Sequence, residues 1–233
     1  PRVLINIFKK PVRAHQKVKL MQSPEDDDFV FLEKKDGQYV VPDYVKVEQQ
    51  FDAWAKEETS YDKAVSDSHV YTHFHSIALQ NVPLLGNKCT ILDIGCGSGM
   101  AGVRFIQDGH KMHGIDLSAE MLALAKKRGY SSTTKLDVFS QQMPLKEQFS
   151  TIISVGMIGD YVPLEKALLA FSKIISAGSY CVFTCAHPMH TRQELSEIIT
   201  KNGFEMVYAQ AENGFIDETI IEEKYWYVVA KKL

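Results

Sequence analysis

The sequence predicts an α/β fold, a mostly parallel sheet covered by helices on both faces, behind an extension with a β-hairpin and a helix. Three observations point there. Beyond about residue 60, short apolar runs alternate with helix-length segments. The first of these runs leads straight into a glycine-dense stretch, "ILDIGCGSGMAG" at 91–102. The composition is 45% hydrophobic and 24% charged over 233 residues, which suits one large soluble α/β domain with an appendage.

Residues 1–60 lack the strand-helix rhythm. "FVFLEKKDGQYVV" reads as two strand-like pieces around Asp36-Gly37, a strong hairpin signal, and "VKVEQQFDAWAKEE" has helical character. Residues 61–233 then supply strand candidates in order: "CTILDIG", "KMHGID", "FSTIISVG", "GSYCVFTC", "GFEMVYAQ" and "YWYVVAKK". The helix after the second strand is well marked. Ser118 caps it, Glu120 sits near its positive end, Lys126, Lys127 and Arg128 lie near its negative end, and Gly129 closes it.

Several classes are disfavoured by composition. No apolar stretch approaches the roughly 20 residues a membrane span needs, and "PRVLINIFKKPVRAHQ" lacks a secretory h-region, so the reading is cytoplasmic, with no membrane partner. Cys89, Cys96, Cys181 and Cys185 sit in or beside apolar runs without a CxxC pair, which predicts reduced, buried thiols. The net charge of -3 gives no reason to expect nucleic acid. Lys9, Lys10, Arg13, Lys17 and Lys19 make a local basic stretch that reads as a solvated arm.

Glycine is costly inside regular structure and is kept for positive φ or for close backbone approach, so the loop at 95–102 predicts a tight turn against a ligand. In open α/β sheets ligands bind at the carboxyl ends of strands, where this loop lies. Two readings compete. Gly97, Gly99 and Gly102 with Asp116 downstream match a dinucleotide fingerprint. Against it, Asp93 stands inside the strand, giving Asp93-x-Gly95-x-Gly97-x-Gly99, and the second strand ends in "GIDLS".

In these residues the sequence resembles the class I S-adenosylmethionine-dependent methyltransferases, whose first motif is D-x-G-x-G-x-G. "LDIGCGSG", "GIDLSAEMLALAKKRG", "KLDVFS" and "FSTIISVGMIGDYV" follow in the family's order, and a "GF" strand and an aromatic-rich last strand close the chain. "YDKAVSDSHVY" at 61–71 resembles the "YD…Y" segment of methyltransferase domains of unassigned substrate. The resemblance implies a Rossmann-like three-layer sandwich with a seven-stranded, mostly parallel sheet and an antiparallel last strand. It implies S-adenosylmethionine as methyl donor and S-adenosylhomocysteine as product.

The same resemblance assigns roles. Asp93 helps hold the donor's amino group, and Gly95, Cys96, Gly97 and Gly99 line its methionyl part, with the dipole of the next helix facing its carboxylate. Asp116 accepts from the ribose hydroxyls, and Asp137 with Val138 meets the adenine amino group. Leu117 and Met121 either pack on the ring or belong to the core. Val155 and Gly156, followed by Met157, end the fourth strand beside the methyl group, and Tyr61 and Tyr71 border the sulfonium or the acceptor.

Methyl transfer from a sulfonium needs a base only when the acceptor carries a proton at working pH. His187 in "CAHPMH" and Asp160 and Tyr161 in "MIGDY" lie just past strand ends and are the catalytic candidates, with Tyr71. Surface or capping roles compete for each. His187 and His190 have a metal-like spacing without a third ligand, so no metal is expected. His69, His73 and His75 lie on a helix before the first strand, either at the pocket rim or facing solvent.

No "NPPY"-type sequence follows the fourth strand, which argues against DNA amine methylation, and the family's "KPGG"-like turn is replaced by "SAGS" at 176–179. The expected acceptor is a nitrogen or oxygen of a small molecule, with a protein acceptor as the alternative. A non-catalytic or NAD(P)-binding module is the competing class, and a monomer or homodimer is expected. Only residues 1–60 are spare enough to form a lid or acceptor-pocket element, with Phe51, Trp54 and Tyr61 contributing. Deletion of 1–50 is expected to abolish turnover and spare donor binding.

Overall fold

The computed structural model describes residues 32–35, 38–56, 70–139, 149–186, 189–213 and 224–233. The extension contributes β1 (Glu33–Lys35), β2 (Gln38–Val40) and helix α1 (Tyr44–Lys56). β1 and β2 pair antiparallel, with Lys35 opposite Gln38 across the Asp36-Gly37 step. Those two residues themselves, like Tyr61, His69 and His187, lie outside the described residues.

The main unit begins with α2 (Val70–Asn81) and alternates β3 (Thr90–Ile94), α3 (Val103–Gln107), β4 (Lys111–Asp116), α4 (Ala119–Lys127) and β5 (Ser132–Lys135). It continues through β6 (Thr151–Ile158), α5 (Leu164–Ile174), β7 (Tyr180–Ala186), α6 (Arg192–Lys201), β8 (Phe204–Asn213) and β9 (Lys224–Lys232). The strands form a seven-stranded sheet in the order β5-β4-β3-β6-β7-β9-β8. β3 pairs in parallel with β4 and β6, and β6 with β7, whereas β9 runs antiparallel between β7 and β8.

Near-continuous apolar runs explain why the central strands are hidden on both faces: β7 is buried throughout. One face packs under Phe74 and Ile77 of α2, Phe105 of α3 and Leu122 of α4. The other packs under Leu164, Leu168 and Phe171 of α5 and Leu195 and Ile199 of α6. Ser118 caps α4 by accepting from the amide of Met121, and Gly129 ends it at φ 103°, as the sequence predicted. All four cysteines carry free thiols. Among the described residues no helix is long and apolar enough to cross a membrane.

The strand order reverses between β3 and β6, so the crevice at their carboxyl ends is where a ligand of such a sheet belongs. The loop that enters it is built from the predicted glycines.

Candidate functional site

The loop turns because Gly95, Gly97 and Gly99 adopt φ of 69°, 51° and 88°, which side chains resist. It is pinned at several points. The amides of Gly95 and Cys96 both donate to the carbonyl of Ile115, at 2.8 and 3.0 Å, and Arg128 donates to the carbonyl of Ser98 at 2.6 Å. The next helical turn is a short 3-10 segment, Met100–Gly102, running into the five-residue α3. Its dipole is therefore weaker than the sequence reading assumed.

Asp116 ends β4 beside this loop. Its Oδ2 accepts from the amide of Gly97 at 2.8 Å and its Oδ1 from the amide of Ser118 at 2.9 Å. The amide of Leu117 is a third backbone donor to this carboxylate. Burial pushes the Asp116 carboxyl above the usual range while these backbone donors pull it back.

Asp93 lies at the floor of the crevice, 1% exposed. Its Oδ2 accepts from the hydroxyl of Tyr130 at 2.6 Å, and burial pushes its carboxyl up to about 7. A carboxyl held above its unfolded value favours folding fully below about pH 4, and that contribution is lost as the pH rises to about 7. About three pH units correspond to roughly 4 kcal/mol. We therefore expect Asp93→Asn to raise the stability of the ligand-free protein by about 1–3 kcal/mol at pH 8. That gain should shrink towards zero near pH 4. Denaturant midpoints at pH 4, 6 and 8 check this, and equal midpoints at pH 8 would contradict it.

The crevice brings Asp93, Gly95, Cys96 and Gly97 together with Val155 of β6 and Tyr71 of α2. Six predicted residues thus share one pocket. Gly156 stands next to it at φ 72°, its amide donating to Thr184 Oγ1 at 2.9 Å. Met157 covers the loop: a Cβ at Gly95 would stand 2.9 Å from its sulfur. Beyond Asp116, Leu117 packs against the core cluster that Val138 joins, and Asp137 accepts from the amide of Phe139 at 2.9 Å. Met121 is fully buried with Ala55 and Leu124, packed against Phe51 and Trp54.

The catalytic candidates separate. Asp160 accepts from the hydroxyl of Tyr225 at 3.2 Å, a partner that sequence reasoning missed. Tyr161 joins the core of the opposite face, 9% exposed, with its ring 5.5 Å from Phe51 and its hydroxyl accepting from Gln50 at 3.4 Å. His190 is buried, its ring facing the Tyr39 hydroxyl at 3.3 Å. His75 pairs with Asp108 at 2.6 Å and His73 with Glu212. No group of three His, Cys, Asp or Glu side chains gathers as a metal site among the described residues.

Helix α1 lies against this side of the sheet. Ser118 Oγ donates to Asp52 Oδ1 at 2.5 Å, and Lys135 meets Glu48 at 2.5 Å. Sequence reasoning named Phe51 and Trp54 but not Asp52, which no motif marks.

Residues 91–178 match the family model described as a methyltransferase domain. An uncharacterized methyltransferase of Anoxybacillus flavithermus is 27% identical over 77% of this chain and 82% of its own length. The 18S rRNA (guanine-N(7))-methyltransferase of Bos taurus is 28% identical over 58% of this chain and 48% of its own. A solved structure of the Burkholderia thailandensis 1,6-didemethyltoxoflavin-N1-methyltransferase, with its substrate and S-adenosylhomocysteine bound, superposes with a TM-score of 0.62. It covers 89% of this chain and 97% of that one at 17% identity, a likeness of fold. The chain spans less than half the length of the first curated relatives it matches.

Proposed function

We propose that this chain is a class I S-adenosylmethionine-dependent methyltransferase and that it transfers a methyl group from S-adenosylmethionine to a nitrogen or oxygen of a small molecule, without a metal. The observation that carries the reading is the meeting of the positive-φ loop, the buried Asp93 and the strand-end Asp116 at the point where the strand order reverses. The donor supplies a methyl group on a sulfonium, which leaves as a neutral thioether, so no proton has to be given to the leaving group.

The chain's own residues fit that donor. Asp93 holds the ammonium group, and the backbone of the glycine loop lines the methionyl part. Asp116 presents two carboxylate oxygens, held by backbone amides at the end of β4 beside the loop, which suits a vicinal diol. Asp137, Val138 and Leu117 border the adenine. Tyr71 and Val155 flank the reacting end, where a tyrosine face attracts a cation by about 0.5–2 kcal/mol. Holding both reactants aligned and dry supplies most of the acceleration this displacement needs. Asp160, oriented by Tyr225, takes a proton where the acceptor carries one, and His187 is the second candidate for that role.

Residues 1–60 act as the cover of the site and 61–233 as the methyltransferase domain. Helix α1 supports this, since Asp52 reaches Ser118, two residues past the diol carboxylate. Removing that charge-assisted bond by Asp52→Ala is expected to raise hydrogen exchange in 44–56 about tenfold. Unchanged exchange there would contradict the cover. The named neighbours act on different acceptors, a small heterocycle in one case and an rRNA guanine in another. The net charge of -3 favours the small molecule. The test is to give the protein methyl-labelled donor with separate small-molecule, protein and RNA fractions. Label in the small-molecule fraction is expected, and label only in protein or RNA would overturn the acceptor class.

A further inference from the structure

The glycine loop is not spacious only for a ligand. Tyr130, in the turn between α4 and β5, is 3% exposed, and its ring occupies the hollow behind the loop. A Cβ added at Gly102 would stand 2.2 Å from its hydroxyl oxygen, one at Gly99 2.8 Å from its ring, and one at Gly114 of β4 3.0 Å from it. Glycines from two separate elements leave room for one aromatic ring. Its hydroxyl is then spent on Asp93, the carboxylate at the floor of the pocket, over 2.6 Å. That length belongs to charge-assisted bonds, which fix direction as well as adding energy.

We propose that Tyr130 is a positioning residue for the methyl donor: its hydroxyl holds one oxygen of Asp93 and so presents the other, as a carboxylate, to the donor's ammonium group. The proposal rests on the reading of this pocket as the donor site. Around Asp93 the other titratable groups are Asp116 from the end of β4, Cys96 of the loop and Tyr71 of α2. Burial and Asp116 both favour the protonated Asp93, and the Tyr130 bond opposes them. A protonated carboxyl cannot hold an ammonium ion. Without the hydroxyl, Asp93 stays protonated to higher pH, and donor binding must follow it.

The test is Tyr130→Phe, which keeps the ring in its hollow and removes only the hydroxyl. Calorimetric titration with S-adenosylmethionine and S-adenosylhomocysteine from pH 6 to 9 is expected to show about tenfold weaker binding near pH 6.5. The gap should close to about twofold at pH 9. A purely structural role would weaken binding equally at every pH, and that result, or no weakening, would overturn the proposal. In the ligand-free protein, carbon-13 titration of Asp93, assigned with Asp93→Asn, should move up by about one pH unit in Tyr130→Phe. An unmoved titration would also overturn it. Failure of the donor reading looks different: wild type and variant would both refuse the two ligands, removing the proposal's premise, while the carboxyl titration would still move.

Discussion

Replacing Gly99 by alanine is expected to lower stability by about 2–5 kcal/mol and to abolish donor binding with it. The two costs are separate. At φ 88° a side chain pays for a left-handed backbone, about 1–2 kcal/mol. The new Cβ would also stand 2.8 Å from the Tyr130 ring and 3.0 Å from the backbone Cα of Ala125, which overpacking prices at about 1–3 kcal/mol. The ring cannot yield without dragging its hydroxyl off Asp93. Thermal melts should fall by roughly 5–15 °C for a chain of this size. Gly156→Ala is the contrast, because its Cβ meets nothing within 4 Å and only the backbone cost at φ 72° remains. Equal melts for the two variants would mean that the hollow behind the loop is not filled as described.

Asp116→Ala is expected to weaken S-adenosylmethionine binding by about a hundredfold or more while leaving the fold intact. The variant loses two acceptors for the ribose and also frees the amides of Gly97 and Ser118 from the side chain that orients them. Bonds to an ionised group are worth about 1.5–3 kcal/mol each, so losing two or more exceeds the roughly 2.7 kcal/mol of a hundredfold change. Asp116→Asn should fall between, since its amide oxygen still accepts from one backbone donor. Calorimetry on the three proteins orders them. A wild-type affinity in Asp116→Ala would remove this carboxylate from the site.

Much of this was readable in the chain. The apolar runs gave six of the sheet's strands, because central parallel strands are buried on both faces and read as continuous hydrophobic stretches. β5, Ser132–Lys135, is "STTK" at the sheet edge, where half-exposed residues leave no apolar signal. The cap, charges and closing glycine of α4 were local chemistry, and they stand as read. The motif marked the turn at Gly95, Gly97 and Gly99, since turn geometry needs positive φ at fixed offsets.

What the sequence did not reveal depends on contacts between distant elements. The spacing of Gly99 and Gly102 resembles a ligand-facing fingerprint, yet both face the Tyr130 ring, which lies 28 residues beyond Gly102 in the numbering. Asp160 and Tyr161 are adjacent in sequence and were weighed together. They separate because both sit in the turn that follows β6, where the amide of Tyr161 donates back to the carbonyl of Met157, and the turn sends one side chain towards Tyr225 and the other towards Phe51. Asp52 looks like any exposed carboxylate on an amphipathic helix until the fold brings Ser118 to it.

The pocket formed by the loop, Asp93 and Asp116 is expected to take S-adenosylmethionine. The most direct measurement is the thermal midpoint with S-adenosylmethionine, S-adenosylhomocysteine and NADH in parallel. At 100 times its dissociation constant a ligand adds about 2.7 kcal/mol, which raises the midpoint by roughly 5–10 °C. That rise is expected with both sulfur ligands and none with NADH. A rise with NADH alone would contradict it and return the glycine loop to the dinucleotide reading.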